Sequence, residues 1–131
     1  MSLDPQTARP VLHVCVTCRA GQPLEPGATP PGAHLYAALA ALNAEQGEPV
    51  DLRQVACLAS CERGCTAAIM TPGQFGYLLG DLSAEIAADV LDYARRYPTA
   101  RNGFVLRSQR AASLTHSILG RMPAFDMAKA D

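Results

Sequence analysis

Pro10-Val-Leu-His-Val-Cys-Val-Thr-Cys18 is the stretch from which the rest of the chain can be read. Its apolar, largely β-branched residues predict a short buried strand, and that strand runs straight into Cys15 and Cys18. Residues 19–32 follow with four prolines and three glycines in fourteen positions, a loop with no room for a helix. Residues 34–46 then predict a helix: Leu35, Leu39 and Leu42 fall at i, i+4 and i+7, alanine fills the remainder, and Gly47 closes it. Pro49-Val-Asp-Leu-Arg-Gln-Val55 alternates apolar and polar residues, which predicts a half-exposed strand leading to Cys57. A strand–helix–strand unit makes its two strands parallel, so the loops leaving their C-terminal ends share one end of the sheet.

Beyond Cys65, Thr66-Ala-Ala-Ile-Met70 and Gln74-Phe-Gly-Tyr-Leu-Leu79 flank Thr71-Pro-Gly73, and Pro-Gly between apolar runs predicts a hairpin. Ser83 is placed to cap a helix with Glu85 in its first turn and Ile86, Val90 and Ala94 along one face, stopped by Pro98. The expected class is therefore α/β, in β-α-β-β-β-α order with a C-terminal extension, the minimal arrangement of a thioredoxin-like fold. Residues 1–9 are expected to be a disordered N-terminal segment, 10–98 the metal- or cluster-binding domain, and 99–131 a basic C-terminal tail. Within the tail, residues 113–122 are expected to be at most a short amphipathic helix.

The bulk numbers suit one soluble domain. The 131 residues are 49% hydrophobic and 18% charged, with no tryptophan and 5% aromatic residues, so Ala, Leu and Val are expected to build the core. No apolar run approaches the ~18–20 residues that span a bilayer, and the first residues lack the features of a signal peptide. Membrane association is therefore not expected, and the cytoplasm is the expected compartment. Residues 1–97 hold six Lys/Arg against ten Asp/Glu, whereas residues 98–131 hold five against two. A tail bearing Arg101, Arg107, Arg110 and Arg121 is expected to be a solvated extension, with docking of an acidic partner the sharper alternative. The charge is too slight to imply nucleic acid.

Clustered cysteines carry the chemistry. Cys15-x2-Cys18 and Cys57-x3-Cys61-x3-Cys65 come from two short loops, and five thiols cannot all pair as disulfides. Such groups suit a soft metal or an iron–sulfur cluster, with Cys15 and Cys18 furnishing one pair of thiolates and Cys57 and Cys61 the other. Zinc on four sulfurs, a 4Fe-4S cluster drawing on Cys57, Cys61 and Cys65, and a thioredoxin-type dithiol at Cys15 and Cys18 stand as alternatives. The dithiol would want its first cysteine at a helix N-terminus, where a proline-rich loop follows instead. Cys65 reads either as an additional ligand or as a small buried residue. Of the histidines, only His34 falls near the cysteine end; His13 and His116 read as structural. No catalytic machinery beyond the thiols is apparent.

Val14-Cys-Val-Thr-Cys-Arg19, Val55-Ala-Cys-Leu-Ala-Ser-Cys-Glu-Arg-Gly-Cys-Thr66 and Tyr77-Leu-Leu-Gly-Asp-Leu82 together resemble the DUF1636 family of predicted metal-binding proteins, and more distantly the thioredoxin-like 2Fe-2S ferredoxins. The ferredoxin resemblance implies a 2Fe-2S cluster on Cys15, Cys18, Cys57 and Cys61 in an electron-transfer protein serving a cytoplasmic redox enzyme. It also implies a redox protein partner and a homodimer, and the family resemblance implies a link to cobalamin biosynthesis. Two departures are visible: Cys18 follows Cys15 more closely than the second cysteine of those ferredoxins follows the first, and Cys65 stands where they often carry proline.

Overall fold

The computed structural model describes residues 9–60 and 62–124. Cys61, residues 1–8 of the expected N-terminal segment, and the end of the tail lie outside the described residues. The protein is a mixed α/β structure built on one five-stranded sheet. In chain order its elements are β1 (Val11–Cys15), α1 (Pro31–Glu45), β2 (Asp51–Val55), β3 (Cys65–Met70), β4 (Gly76–Leu82), α2 (Ala87–Arg96) and β5 (Ile118–Met122), with short 3-10 turns between α2 and β5. The sheet order is β2-β1-β3-β4-β5. β1 and β2 run parallel, while every other neighbouring pair is antiparallel.

α1 packs against α2 and lies over β1 and β3, so both helices form one layer on one face of the sheet. The pleat explains which residues they cover. Leu12 and Val14 on β1 are fully buried on the helix side, whereas Val11 and His13, pointing the other way, are half-buried. Leu35 and Leu39 bring α1 down onto this core, which Val90, Leu91 and Ala94 of α2 complete. Asn43, buried at the end of α1, donates from Nδ2 to the Val50 carbonyl (2.9 Å) and accepts the Val50 amide at Oδ1 (3.2 Å). One side chain thereby completes the backbone bonding of the residue just before β2.

The aromatic content is small but lies at the centre. Ala, Leu and Val make up most of the buried core, as expected, but Tyr77, Tyr93 and Tyr97 are its largest fully buried side chains. Tyr97 donates to the Phe75 carbonyl (2.6 Å), and Tyr77 donates to that of Asn102 (3.0 Å). The two rings meet edge to face at 6.1 Å. Gly103, at φ +71°, packs flat on Tyr97, where a Cβ would fall 2.3 Å from the ring.

These contacts overturn the solvated extension. Residues 97–106 are tied to the core, Val105 and Leu114 are buried, and Ile118–Met122 pairs with β4. The amphipathic helix expected over 113–122 is therefore a turn followed by a strand. The physical reason is the edge of β4: its unpaired amides and carbonyls are satisfied by a neighbouring strand, and Gly120 is a weak helix former. Ser83 also departs from expectation. Its side chain makes no capping bond, and a 3-10 turn, Ala84–Ile86, leads into α2 instead. Among the described residues, no helix is long and apolar enough to cross a membrane.

One glycine fixes how the helix layer meets the sheet. A Cβ on Gly32, in the first turn of α1, would lie 2.0 Å from the carbonyl oxygen of Cys15, which is backbone and cannot swing away. Gly32→Ala is expected to cost more than ~2 kcal/mol in urea denaturation. Gly120→Ala, which meets nothing within 4 Å, should stay within ~0.5 kcal/mol of the parent. Equal stabilities for the two variants would show that the Gly32 contact does not hold the layers together.

Candidate metal centre

The parallel register sets Cys15 opposite Val55, so both cysteine loops leave the sheet at the same end. They are joined there at once. The Val16 amide donates to the Val55 carbonyl (3.0 Å), and the Thr17 hydroxyl donates to the carbonyl of Ala56. Cys15 Sγ lies 3.6 Å from that same carbonyl and 3.7 Å from the Thr17 hydroxyl. The proline-rich loop then turns back. The Gly32 amide donates to the Cys18 carbonyl (3.0 Å), so the N-terminus of α1 abuts the first cysteine pair after all.

Cys18 is the hub. Its thiol donates to the Gly64 carbonyl at 2.9 Å and accepts the Ala20 amide at 3.4 Å. Its bond to Gly64 ties it to the residue just before Cys65. Cys15, Cys18 and Cys65 are all buried, at 1%, 2% and 1% exposure, at this end of the sheet. Burial, reinforced by the neighbouring sulfurs of Cys18 and Cys15, pushes the Cys65 thiol up to about 11. Cys57 is different: it is exposed, and its sulfur accepts the Ala59 amide at 3.2 Å.

Cys65 owes its place to the start of β3. The β3–β4 register shifts between Cys65 and Ala67, and the preceding Gly64 takes φ +68°. A Cβ on Gly64 would fall 2.9 Å from the Cα of Asp81. The Asp81 amide bonds the Arg63 carbonyl, and the two side chains pair at 3.0 Å on the surface. Cys65 therefore opens a strand. Its burial next to the Gly64 carbonyl that Cys18 meets had no sequence signal beyond its membership of the cluster.

Cys15, Cys18 and Cys65 thus lie buried at one end of the sheet, Cys57 lies on the adjoining loop, and Cys61 is outside the described residues. Among the described residues, no three Cys, His, Asp or Glu side chains are already arranged to hold a metal ion. The chemistry of the donor set nonetheless fits a soft metal: every candidate donor is sulfur, and two of the sulfurs already accept backbone amides. His34 is exposed in the first turn of α1, His116 is exposed far along the chain, and His13 is half-buried on β1 with its Nδ1 unpartnered.

The family described as "Protein of unknown function (DUF1636)" matches residues 12–124, nearly the whole chain and all five cysteines. No curated protein and no solved structure matches the chain significantly.

Two measurements check this geometry. In native metal-free protein, iodoacetamide is expected to modify Cys57 first and Cys65 last among the four described cysteines, as followed by mass spectrometry of the digested chain. Cys65 modified as fast as Cys57 would contradict the buried group. Alkaline stability follows from the same burial. The Cys65 thiol ionises at its ordinary 9.0 when unfolded and about 11 when folded, so the fold retains a proton that the unfolded chain releases. The contribution is intact below pH 9 and is lost as pH rises towards 11. Tyr97, pushed up to about 12 by burial, extends the decline. Replacing Cys65 with alanine is expected to flatten the fall of unfolding free energy between pH 9 and 11.

Proposed function

Because the chain belongs to the DUF1636 family, we propose that it is a metal–thiolate protein, specifically a small 2Fe-2S electron carrier with ligands Cys15, Cys18, Cys57 and Cys61. The observation that carries this reading is the convergence of the two cysteine loops at one end of a parallel strand pair, with Cys15 and Cys18 buried and Cys57 on the adjoining loop. Buried thiolates are costly without a compensating charge, and a cationic centre supplies it. The element order β1-α1-β2-β3-β4-α2 supports a thioredoxin-like arrangement to which β5 is added.

When bound, the cluster supplies a one-electron redox centre. The chain's own part is to hold the sulfurs and restrict water. Cys18 must surrender the proton it shares with the Gly64 carbonyl before its sulfur can ligate, so binding is coupled to proton release. Cys65, whose thiol burial pushes up to about 11, keeps its proton at neutral pH and follows Gly64, whose carbonyl the Cys18 thiol meets. A redox enzyme of the same compartment is the partner this chemistry needs, and the cytoplasm is the compartment in which reduced thiols persist.

Anaerobic purification with iron, acid-labile sulfide and zinc measured on one sample tests the reading. About two irons and two sulfides per chain are expected, with visible absorbance lost or strongly altered in Cys18→Ser. About four of each would replace the cluster type. Colourless protein holding one zinc would replace electron transfer with a structural or metal-handling role.

A further inference from the structure

The two cysteine loops, separated by α1 and β2, share one local geometry. In Cys18-Arg19-Ala20 and in Cys57-Leu58-Ala59, the sulfur of the cysteine accepts the backbone amide two residues on, at 3.4 and 3.2 Å. In both, that residue is an alanine in the left-handed region, at φ +55° and φ +58°. Left-handed backbone is unfavourable for any residue with a Cβ, and glycine is its usual occupant. Only five described non-glycine residues adopt it, and two of them stand two positions after a cysteine. Cys18 is buried whereas Cys57 is exposed, so packing around the sulfur alone does not impose a common shape on both.

We propose that Ala20 and Ala59 are positioning residues of the thiolate site: their left-handed backbone aims an amide at the sulfurs of Cys18 and Cys57, presetting both loops for anionic sulfur. An amide aimed at a sulfur orients it for ligation and withdraws charge from it once it is a ligand. Alanine keeps each turn stiffer in the unfolded ensemble than glycine would. The inference rests on the thiolate reading above and names two residues that touch no metal.

Cobalt(II), added anaerobically to reduced full-length protein, is the probe. Its thiolate charge-transfer absorbance reports sulfur ligation, and chelator competition gives the affinity. Ala20→Gly and Ala59→Gly keep the amide and admit the conformation, and are expected to bind within about twofold of the parent. Ala20→Val and Ala59→Val disfavour the conformation and are expected to bind about tenfold more weakly. Cobalt affinity unchanged in both valine variants would overturn the proposal while leaving the thiolate site standing. A parent protein with no thiolate–cobalt absorbance would overturn the site itself and the inference with it. Should the valine variants fail to fold, NMR of the 113Cd-loaded parent decides: scalar coupling from 113Cd to the amide protons of Ala20 and Ala59 is expected, and its absence at both refutes the role.

Discussion

The parallel pairing of β1 with β2 is the constraint on which the rest depends. An antiparallel partner would return the chain to the opposite end of β1, and the two cysteine groups would be separated by the length of the strand. Parallel pairing requires a crossover, which α1 provides. The crossover must then cover the sheet closely enough to bury its face. Gly32 permits that by resting on the Cys15 carbonyl, and Asn43 secures the far end of α1 by clasping Val50. The site is therefore a consequence of how the first sixty residues are threaded, and β3 joins it by inserting Cys65 from the other side.

This threading leaves the sulfurs in unequal surroundings. Three are nearly dry, and at Cys65 burial disfavours the charged form and raises the thiol. Cys57 is wet. Counteracting the burial are the Ala20 amide on Cys18 and the start of α1 beside the same loop, both of which favour negative charge. The balance differs between neighbours: Cys18 receives the amide, whereas Cys65 receives none among its described bonds and stays a thiol. That division sets two buried cysteines apart, one with a backbone amide on its sulfur and one without.

Much of this was legible in the sequence because it is local. The apolar run before Cys15 and the leucine spacing of α1 are read from period alone, and the Thr71-Pro-Gly73 turn from residue type: Gly73 takes φ +83° and the Gln74 amide closes on Thr71. The helix begins three residues before the reading from position 34, because proline is well suited to the first helical turn and the chain uses Pro31 there. What was not legible depends on distant partners. Ile118–Met122 has too few residues and too weak an alternation to declare itself a strand, and becomes one because β4 offers an unsatisfied edge. Cys65 reads as a spare cysteine until the shifted register of β3 turns it towards Cys18.

The basic excess of the C-terminal segment shows how composition misleads when packing is unknown. Counted along the sequence, Arg110 and Arg121 are charges available to a partner. In the fold, the Arg121 guanidinium stands 5.1 Å over the Phe75 ring, and that of Arg110 lies 6.0 Å from the Phe104 ring while donating to the Leu114 carbonyl. Each guanidinium lies over one of the chain's own rings, an attraction of ~0.5–1 kcal/mol at exposed sites that strengthens on desolvation. Those contacts help hold β5 and the preceding turns against the sheet. Two of the four arginines, Arg110 and Arg121, thus act as intramolecular fasteners, whereas Arg101 and Arg107 stand exposed.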